Sequence, residues 1–316
     1  MLRFKNILAV IEHGEPLGSE IDHALKLARL NGAAITIMET CNYLPEDVLF
    51  SLEGGSGRQV MKEFEDRRRA RLTEVASRWE DLDPTLLLPA GKPFLDIVRR
   101  VMDAGHDLVV KAAEAPPTGS SRLFGSVDMH LIRKCPSAVW LHKPGADGRV
   151  RRILACVDLD ADDALRQRLN TAIMEMATSF AREENSSVDA AHAWWLPFES
   201  TLRDSIWLSA GKDSVDELVA TRRTEAEARF SGFVKRFAAP DIAITTHFLK
   251  GDPRVVLPEF CRETDYDLIV MGTVTNVGLP GYFIGETAET LLSEVSASVL
   301  TVKPEGWVSP LAAASQ

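Results

Sequence analysis

A repeated pattern constrains the fold of this chain more than any other feature of its sequence. Residues 106–110 read HDLVV, and residues 266–270 read YDLIV, a separation of 160 residues. Three more blocks recur in the same order: FGS and IGE at 124–126 and 284–286, KP at 143–144 and 303–304, and NILAV and RILAC at 6–10 and 152–156. The blocks near the start of each half are separated by only 146 residues, so the second half contains an insertion of 14 residues. This self-similarity predicts a tandem duplication.

The repeat divides the 316 residues into two domains of ordinary size. We predict a first domain over residues 1–144, a linker over 145–151, a second domain over 152–304 and a tail over 305–316. The tail is polar, and we expect it to be loosely held.

The segment 267–304 shows what each half contains. An apolar run stops at Gly272, a loop rich in glycine and proline follows, an amphipathic segment begins at Gly285, and a second apolar run occupies residues 298–302. Strand, loop, helix and strand in this order are typical of a parallel α/β sheet. The loop joins the carboxyl end of a strand to the amino end of a helix, where an anion is favoured.

The same alternation of apolar strands and amphipathic helices runs through both halves. Each half is therefore predicted to hold about five parallel strands and four helices, joined by right-handed crossovers. The last strand of each half, 138–142 and 298–302, is the expected edge strand. Because an exposed edge needs covering, we predict that these two strands form the interface between the domains. The sequence leaves a homodimer of the full chain open.

Composition narrows the classes of function. A formal net charge of −10 argues against nucleic acid as a partner. The four cysteines lie far apart without a CxxC pair, so neither a zinc site nor a disulfide framework is indicated. No apolar stretch is long enough for a membrane span, and the amino terminus has no signal-peptide pattern. We interpret the protein as cytoplasmic, with no metal and no catalytic Ser–His–Asp set that the sequence can nominate.

Several motifs together resemble the universal stress protein family in its tandem, two-domain form. They are the Ile-Leu-Ala opening of each half, GDP at 251–253, DLIVMGT at 267–273, Gly285, VLTVKP at 299–304, and HLIRKCPS at 130–137. The resemblance implies two tandem Rossmann-like domains of the adenine nucleotide alpha hydrolase type, each with a five-stranded parallel sheet, packed with pseudo-twofold symmetry. It also implies a role in stress survival without firmly established catalysis.

ATP-binding members of that family carry an Asp after the first strand and a loop of the form G-x2-G-x9-G-[ST]. In the second half, Asp158 matches the adenine end of that motif, and Gly272 and Gly285 match two of its glycines. Thr275 replaces the remaining glycine, and Glu286 replaces the Ser or Thr. Glycines let a backbone approach phosphates, so these changes predict a degenerate nucleotide site.

Glu286 is the more serious change, because its carboxylate would face the negative charge of a triphosphate. At an effective dielectric near 20, two like charges about 4 Å apart repel by ~4 kcal/mol. That energy corresponds to roughly a thousandfold in affinity. Thr287 is a weak substitute for the missing hydroxyl, and Gly251 completes the predicted site.

The first half keeps Gly125 and Ser126 but departs from the motif elsewhere. Ala112 stands where a glycine is expected, and Glu12 replaces the Asp. Lys111, just before the loop, could supply a cation. Neither half carries an intact site, so ATP is a disfavoured cofactor and we predict none.

Three functions remain in competition. The favoured one is a non-enzymatic stress-response binding module whose altered site could accept another small or apolar ligand. For the aromatic residues around Trp194 and Trp195 the preferred interpretation is an extra layer of core or a cover for the domain interface, and the alternative is an apolar pocket that accepts a lipid-like ligand. The second is an ATP-binding switch or slow ATPase that uses the second half. The third is RNA binding through the arginines of 67–71, for which interleaved acidic residues favour a solvated helix face instead. The segment 209–214, SAGKDS, resembles a pyrophosphate loop, but a capped helix start is the preferred interpretation.

Overall fold

The computed structural model describes residues 4–41, 56–114, 124–143, 148–160, 163–196, 198–204, 212–273 and 285–312. The first half comprises β1 (Asn6–Glu12), α1 (Ser19–Asn31), β2 (Ala34–Thr40), α2 (Ser56–Ser77), β3 (Thr85–Leu87), α3 (Pro93–Ala104), β4 (Leu108–Ala112), α4 (Ser126–Lys134) and β5 (Ala138–His142). The second half comprises β6 (Arg152–Cys156), α5 (Ala164–Glu184), β7 (Ser187–Trp194), α6 (Glu199–Asp204), α7 (Lys212–Lys235), β8 (Ile244–Lys250), α8 (Pro253–Glu263), β9 (Leu268–Gly272), α9 (Glu286–Glu294) and β10 (Ser298–Val302). The predicted alternation is confirmed, and the short helix α6 lies in the inserted segment.

Local sequence signals set the ends of these helices. α3 begins with Pro93, whose fixed φ suits a first helical turn, and ends at Gly105, which adopts φ 66°. α5 begins after Asp163, whose carboxylate accepts a backbone N–H of the first turn, and ends at Asn185 in the left-handed region. Within the described residues, no helix combines the length and the apolar character needed to cross a membrane.

The ten strands of the described ranges form one sheet in the order β3-β2-β1-β4-β5-β10-β9-β6-β7-β8. Neighbouring strands within each half are parallel, whereas β5 and β10 are antiparallel, with Trp140 opposite Leu300. The prediction that the two final strands form the domain interface is confirmed. Because β5 and β10 run in opposite directions, the parallel strands of the first half and those of the second half have their carboxyl ends at opposite edges of the sheet.

Helices cover both faces of the sheet. Ile7, Ala9 and Ile11 of β1 pack with the buried residues of α1, α2, α5 and α7 on one face. Leu8 and Val10 pack with α3, α4, α8 and α9 on the other face. Successive side chains of a strand point to opposite faces, so an unbroken apolar strand indicates burial on both sides.

The arginine run of α2 differs from its predicted solvated face. Arg68 is fully buried, and its guanidinium lies 3.4 Å from a carboxylate oxygen of Glu39 and donates to the Glu39 carbonyl at 2.6 Å. Arg71 also contacts the Glu39 carboxylate, at 3.1 Å. The face of α2 that carries Leu72 and Val75 is buried, and Arg68 and Arg71 lie beside these residues on the helix.

The tail is also held more firmly than its polarity suggests. The Ser309 hydroxyl donates to the Lys134 carbonyl at 2.7 Å, and Leu311 packs against the core face that α3, α4, α8 and α9 cover. Residues 305–312 therefore fold back from the second domain onto the first.

Polar residues line the junction between the domains. The Glu184 carboxylate of α5 accepts from Lys26 of α1 at 2.7 Å and lies 3.5 Å from the His23 imidazole. The hydrogen bond from His23, together with the Lys26 ammonium, lowers the pKa of Glu184 from 4.5 to about 2. His142, at the end of β5, lies 2.8 Å from the Ser19 hydroxyl through Nε2.

The buried His142 makes the stability of this junction depend on pH. Its side chain is 2% exposed, and burial together with the nearby His23 lowers its pKa from 6.5 to about 4. Between these values the unfolded chain binds the proton and the folded chain does not, so stability falls as the pH falls. At pH 5 the loss from this group is about 2 kcal/mol.

Between pH 7 and pH 5, we expect the free energy of unfolding to fall less in the His142→Gln variant than in the parent chain. Urea unfolding at both pH values measures the difference. Glutamine has no proton to take up in this range, so the difference isolates the imidazole. An equal loss in both proteins would contradict this account.

Candidate functional site

A cavity of about 300 Å³ lies at the carboxyl ends of β6 and β9 in the second domain. Of the predicted site residues, Asp158, Gly272 and Thr287 line it together. Gly251, Gly285 and Glu286 lie around it without lining it, and Thr275 lies outside the described residues. The position follows from the fold, since β6 and β9 are adjacent and their carboxyl ends meet at one edge.

Asp158 is fixed in place by residues that the sequence analysis did not identify. Its backbone N–H donates to the Asn170 side-chain oxygen at 3.0 Å, and its carbonyl accepts from the Asn170 amide at 2.5 Å. Its carboxylate accepts from Arg166 at 2.9 Å. Asn170 is buried in an amphipathic helix, and a polar residue on an apolar face was the signal that could have found it.

Gly272, at the end of β9, lines the cavity, and the start of α9 lies close to it. A Cβ at Gly272 would lie 2.7 Å from a methyl group of Leu169, so the glycine lets α5 approach the end of β9. The Gly285 N–H donates to the Thr273 carbonyl at 3.0 Å. Gly285 is the N-cap of α9 and provides no side-chain hydrogen bond to the helix.

The sequence predicts that the Glu286 carboxylate faces the phosphates of a bound nucleotide, whereas in the structure it is exposed to solvent. Its side chain is 80% exposed and accepts from Arg254 at 2.7 Å. The same guanidinium contacts Asp252 at 2.5 Å, next to Gly251, whose φ is +139°. An exposed and paired carboxylate repels an anion far less than a buried one. The repulsion estimated from the sequence is therefore an upper bound.

The remaining wall of the cavity is apolar. Its side chains come from four elements of the second domain: Leu169 and Ile173 of α5, Ala193 of β7, Leu257 of α8, and Ala288 and Leu291 of α9. Trp195 adds an indole at 41% exposure, whereas Trp194 stacks on Phe248 in the core. One polar end and an apolar wall are the usual features of a small-molecule site.

The corresponding place in the first domain holds a network of charges. Lys111 is 1% exposed, and its ammonium contacts the carboxylates of Glu12 and Asp128, the latter at 3.1 Å. It also donates to the Ala112 carbonyl at 2.8 Å. The predicted cation is present, but two carboxylates already neutralise it. Asp128 was missed because its partner lies 17 residues earlier in the sequence.

A carboxylate of the protein itself occupies the anion position of this domain. Glu114 accepts from the Val127 N–H at the start of α4 at 3.0 Å, and its side chain covers Gly125 so closely that a Cβ there would clash. Burial and the neighbouring Asp128 raise the pKa of Glu114. Ser126 is exposed on the same turn. The helix end that would attract a phosphate is thus satisfied internally.

Comparison with known proteins agrees with this duplicated architecture. A sequence model of the Universal stress protein family matches residues 3–143 and again residues 149–303. The chain belongs to the universal stress protein family. The resemblance inferred from the sequence, including the tandem arrangement, is confirmed.

Curated relatives match this chain over most or all of its length. Universal stress protein E from Photorhabdus laumondii is 24% identical over 328 residues and covers 100% of both chains. The protein of that name from Escherichia coli K12 is 27% identical over 223 residues, 70% of this chain and 68% of its own.

Among solved structures, a functionally unknown protein from Pseudomonas aeruginosa PAO1 has a TM-score of 0.70 at 19% identity, covering 96% of this chain and 93% of its own. A universal stress protein from Archaeoglobus fulgidus has a TM-score of 0.54 at 14% identity, covering 94% and 96%. At these identities the likeness is one of fold.

Proposed function

We propose that this universal stress protein is a non-enzymatic binding module whose second-domain cavity accepts a small, largely apolar ligand in place of a nucleoside triphosphate. The observation that carries the proposal is the apolar wall from Leu169 to Leu291, beside a linked polar group formed by Asp158, Asp160, Arg166 and Asn170. Within that group Asp158 already accepts from Arg166 and is held by Asn170. Such a site gains affinity by burying apolar surface, and it requires neither a metal nor ATP.

The corresponding site of the first domain is already filled by the protein's own side chains, which favours ligand binding in the second domain. Glu114 fills the helix terminus of the first-domain site, and Lys111 is neutralised by Glu12 and Asp128. A free anion would have to displace a carboxylate that is already covalently attached and correctly placed. The proposal therefore assigns ligand binding to the second domain and a structural role to the first-domain site.

We expect Thr287→Trp to weaken binding of N-phenyl-1-naphthylamine, an uncharged apolar fluorophore, by about tenfold or more. Thr287 lines the cavity at the start of α9, so an indole there would fill space that the ligand needs. Ser293→Trp is the matched control, because Ser293 is exposed on the same helix and does not line the cavity. The measurement is a fluorescence titration, and equal affinity in both variants would exclude this cavity as the site.

An ATP-binding switch is the second candidate. It is favoured by the placement of Asp158, Gly272 and Thr287 around one cavity. Calorimetric titration with Mg-ATP separates the two functions. Our proposal expects no saturable heat at submillimolar Mg-ATP and no displacement of the fluorophore. Tight binding by the parent chain that is weakened by Gly285→Val would establish the nucleotide site instead.

We also propose that the protein works in the cytoplasm. Its four cysteines, Cys41, Cys135, Cys156 and Cys261, are all free thiols. Burial raises the pKa of Cys135 and Cys156, which keeps these thiols protonated and unreactive. Free, unreactive cysteines are typical of proteins in a reducing compartment.

A further inference from the structure

A second and larger cavity lies between the two domains. It is a groove of about 700 Å³, bounded by α3 and the start of β5 from the first domain and by α5 and the end of β10 from the second. The groove shares only Leu169 with the cavity described above. Its apolar lining includes Phe4, Met102, Ala172 and Met176.

Lys303 is the charged group that distinguishes this groove. Its ammonium donates to the Ile132 carbonyl and to the Thr273 hydroxyl, both at 2.6 Å. An ammonium has three N–H donors, so one remains beyond these two. Among the described residues, no carboxylate lies within 4.0 Å of the Lys303 nitrogen. A largely buried cation without a counter-ion is costly unless an anion joins it.

The acidic residues of the groove are already engaged elsewhere. The Asp107 carboxylate accepts the backbone N–H groups of Lys5 and Asn6 at 2.7 and 3.1 Å. Glu305 pairs with Arg168 at 3.2 Å on the rim. Among the described residues, Arg168 of the lining therefore has a carboxylate partner and Lys303 has none.

The folded-back tail adds an aromatic surface beside this cation. The Trp307 ring centroid lies 4.6 Å from the Lys303 nitrogen, and the hydrogen bond from Ser309 to Lys134 holds the tail against the first domain. Met102 and Met176 lie in the same lining. Thioethers adapt to irregular shapes and make favourable contacts with aromatic rings.

We propose that the interdomain groove binds an aromatic monoanion, with its acidic group on Lys303 and its ring against Trp307 and the two methionines. The negative charge of the ligand pairs with the Lys303 ammonium, and its flat apolar body fits the apolar side chains that both domains contribute to the lining. The site exists only in the tandem protein, because each domain supplies one wall.

The test uses two fluorophores with the same apolar body: 8-anilinonaphthalene-1-sulfonate, which carries one negative charge, and N-phenyl-1-naphthylamine, which carries none. We expect Lys303→Met to weaken binding of the sulfonate by about tenfold or more, the effect of losing one charge-assisted hydrogen bond. Binding of the uncharged fluorophore, which the proposed function assigns to the second-domain cavity, should change by less than about twofold, because Lys303 does not line that cavity.

Lys143→Met is the matched control, since Lys143 is the repeat-related residue at the end of β5 and does not line the groove. Its nitrogen lies 3.7 Å from the Phe124 ring, and burial lowers its pKa to about 8, as burial does for Lys303. The two variants therefore remove the same kind of buried ammonium. Equal loss of sulfonate binding in both would overturn the proposal.

A second variant keeps the test decisive if Lys303→Met unfolds the chain. Ala172→Trp fills the apolar part of the groove from α5 and leaves every charge in place, so it should also abolish sulfonate binding. Thr287→Trp, which fills the other cavity, should leave sulfonate binding intact. If Ala172→Trp has no effect while Thr287→Trp removes sulfonate binding, the anion binds in the second-domain cavity and the groove is not its site.

Discussion

Glu39→Gln is expected to lower the free energy of unfolding by about 3–5 kcal/mol, the usual cost of breaking a buried ion pair from one side. Glu39 and Arg68 are both completely buried, and the same carboxylate also contacts Arg71 at 3.1 Å and His13 at 2.9 Å. Glutamine keeps the shape of the side chain but leaves the Arg68 guanidinium without its anion. Urea unfolding at pH 7 measures the loss.

Glu65→Gln is the control for this prediction, because Glu65 is exposed on α2, and it should change stability by no more than about 0.5 kcal/mol. The double variant Glu39→Gln with Arg68→Met adds a sharper comparison. If the uncompensated charge causes the loss, removing the guanidinium as well should restore part of the stability. A Glu39→Gln protein as stable as Glu65→Gln would refute the buried pair as a major contributor.

Lys111→Met should also cost about 3–5 kcal/mol at pH 7. The substitution leaves Asp128, which is fully buried, and the nearby Glu12 and Glu114 without the cation they surround. Burial already raises the pKa values of Asp128 and Glu114, and loss of the ammonium should raise them further. Their folded-state pKa values then lie above those of the unfolded chain.

The sign of the pH dependence follows from that difference. Between the unfolded and folded pKa values, the folded variant binds more protons, so its stability rises as the pH falls. Lys111→Met should therefore recover part of its loss between pH 7 and pH 5, whereas Lys62→Met, at an exposed position of α2, should be nearly neutral at both values. A loss that stays constant with pH would show that packing, not charge, explains the effect.

These predictions concern contacts that the sequence alone did not give. The repeat, the strand and helix order and the pairing of β5 with β10 were all predicted, because apolar periodicity and the need to cover an edge strand are properties of local sequence. The positions of Asp158, Gly272 and Thr287 around one cavity followed from strand order, since adjacent parallel strands end at the same edge. The sequence also carried the family, through motifs present in both halves.

Tertiary structure decided what each charged residue does. Arg68 belongs to an exposed-looking run of arginines, but the helix face that buries Leu72 also carries it inside, where Glu39 neutralises it. In sequence, Glu286 occupies the position of a phosphate-binding residue, but its carboxylate is exposed to solvent and pairs with Arg254 of α8. Glu114 has no motif at all, and it occupies the helix terminus because the end of β4 lies beside the start of α4.

The sequence by itself determined that this protein is a duplicated α/β fold with altered loops, because backbone conformation and burial depend on residues a few positions apart. Only the tertiary structure decided which ions are paired and where open space remains. Lys111 and Asp128, Arg254 and Glu286, and the two walls of the interdomain groove are brought together by packing between distant segments. The strength of a charge interaction depends on that separation and on solvent exposure, and neither quantity can be calculated from residue order.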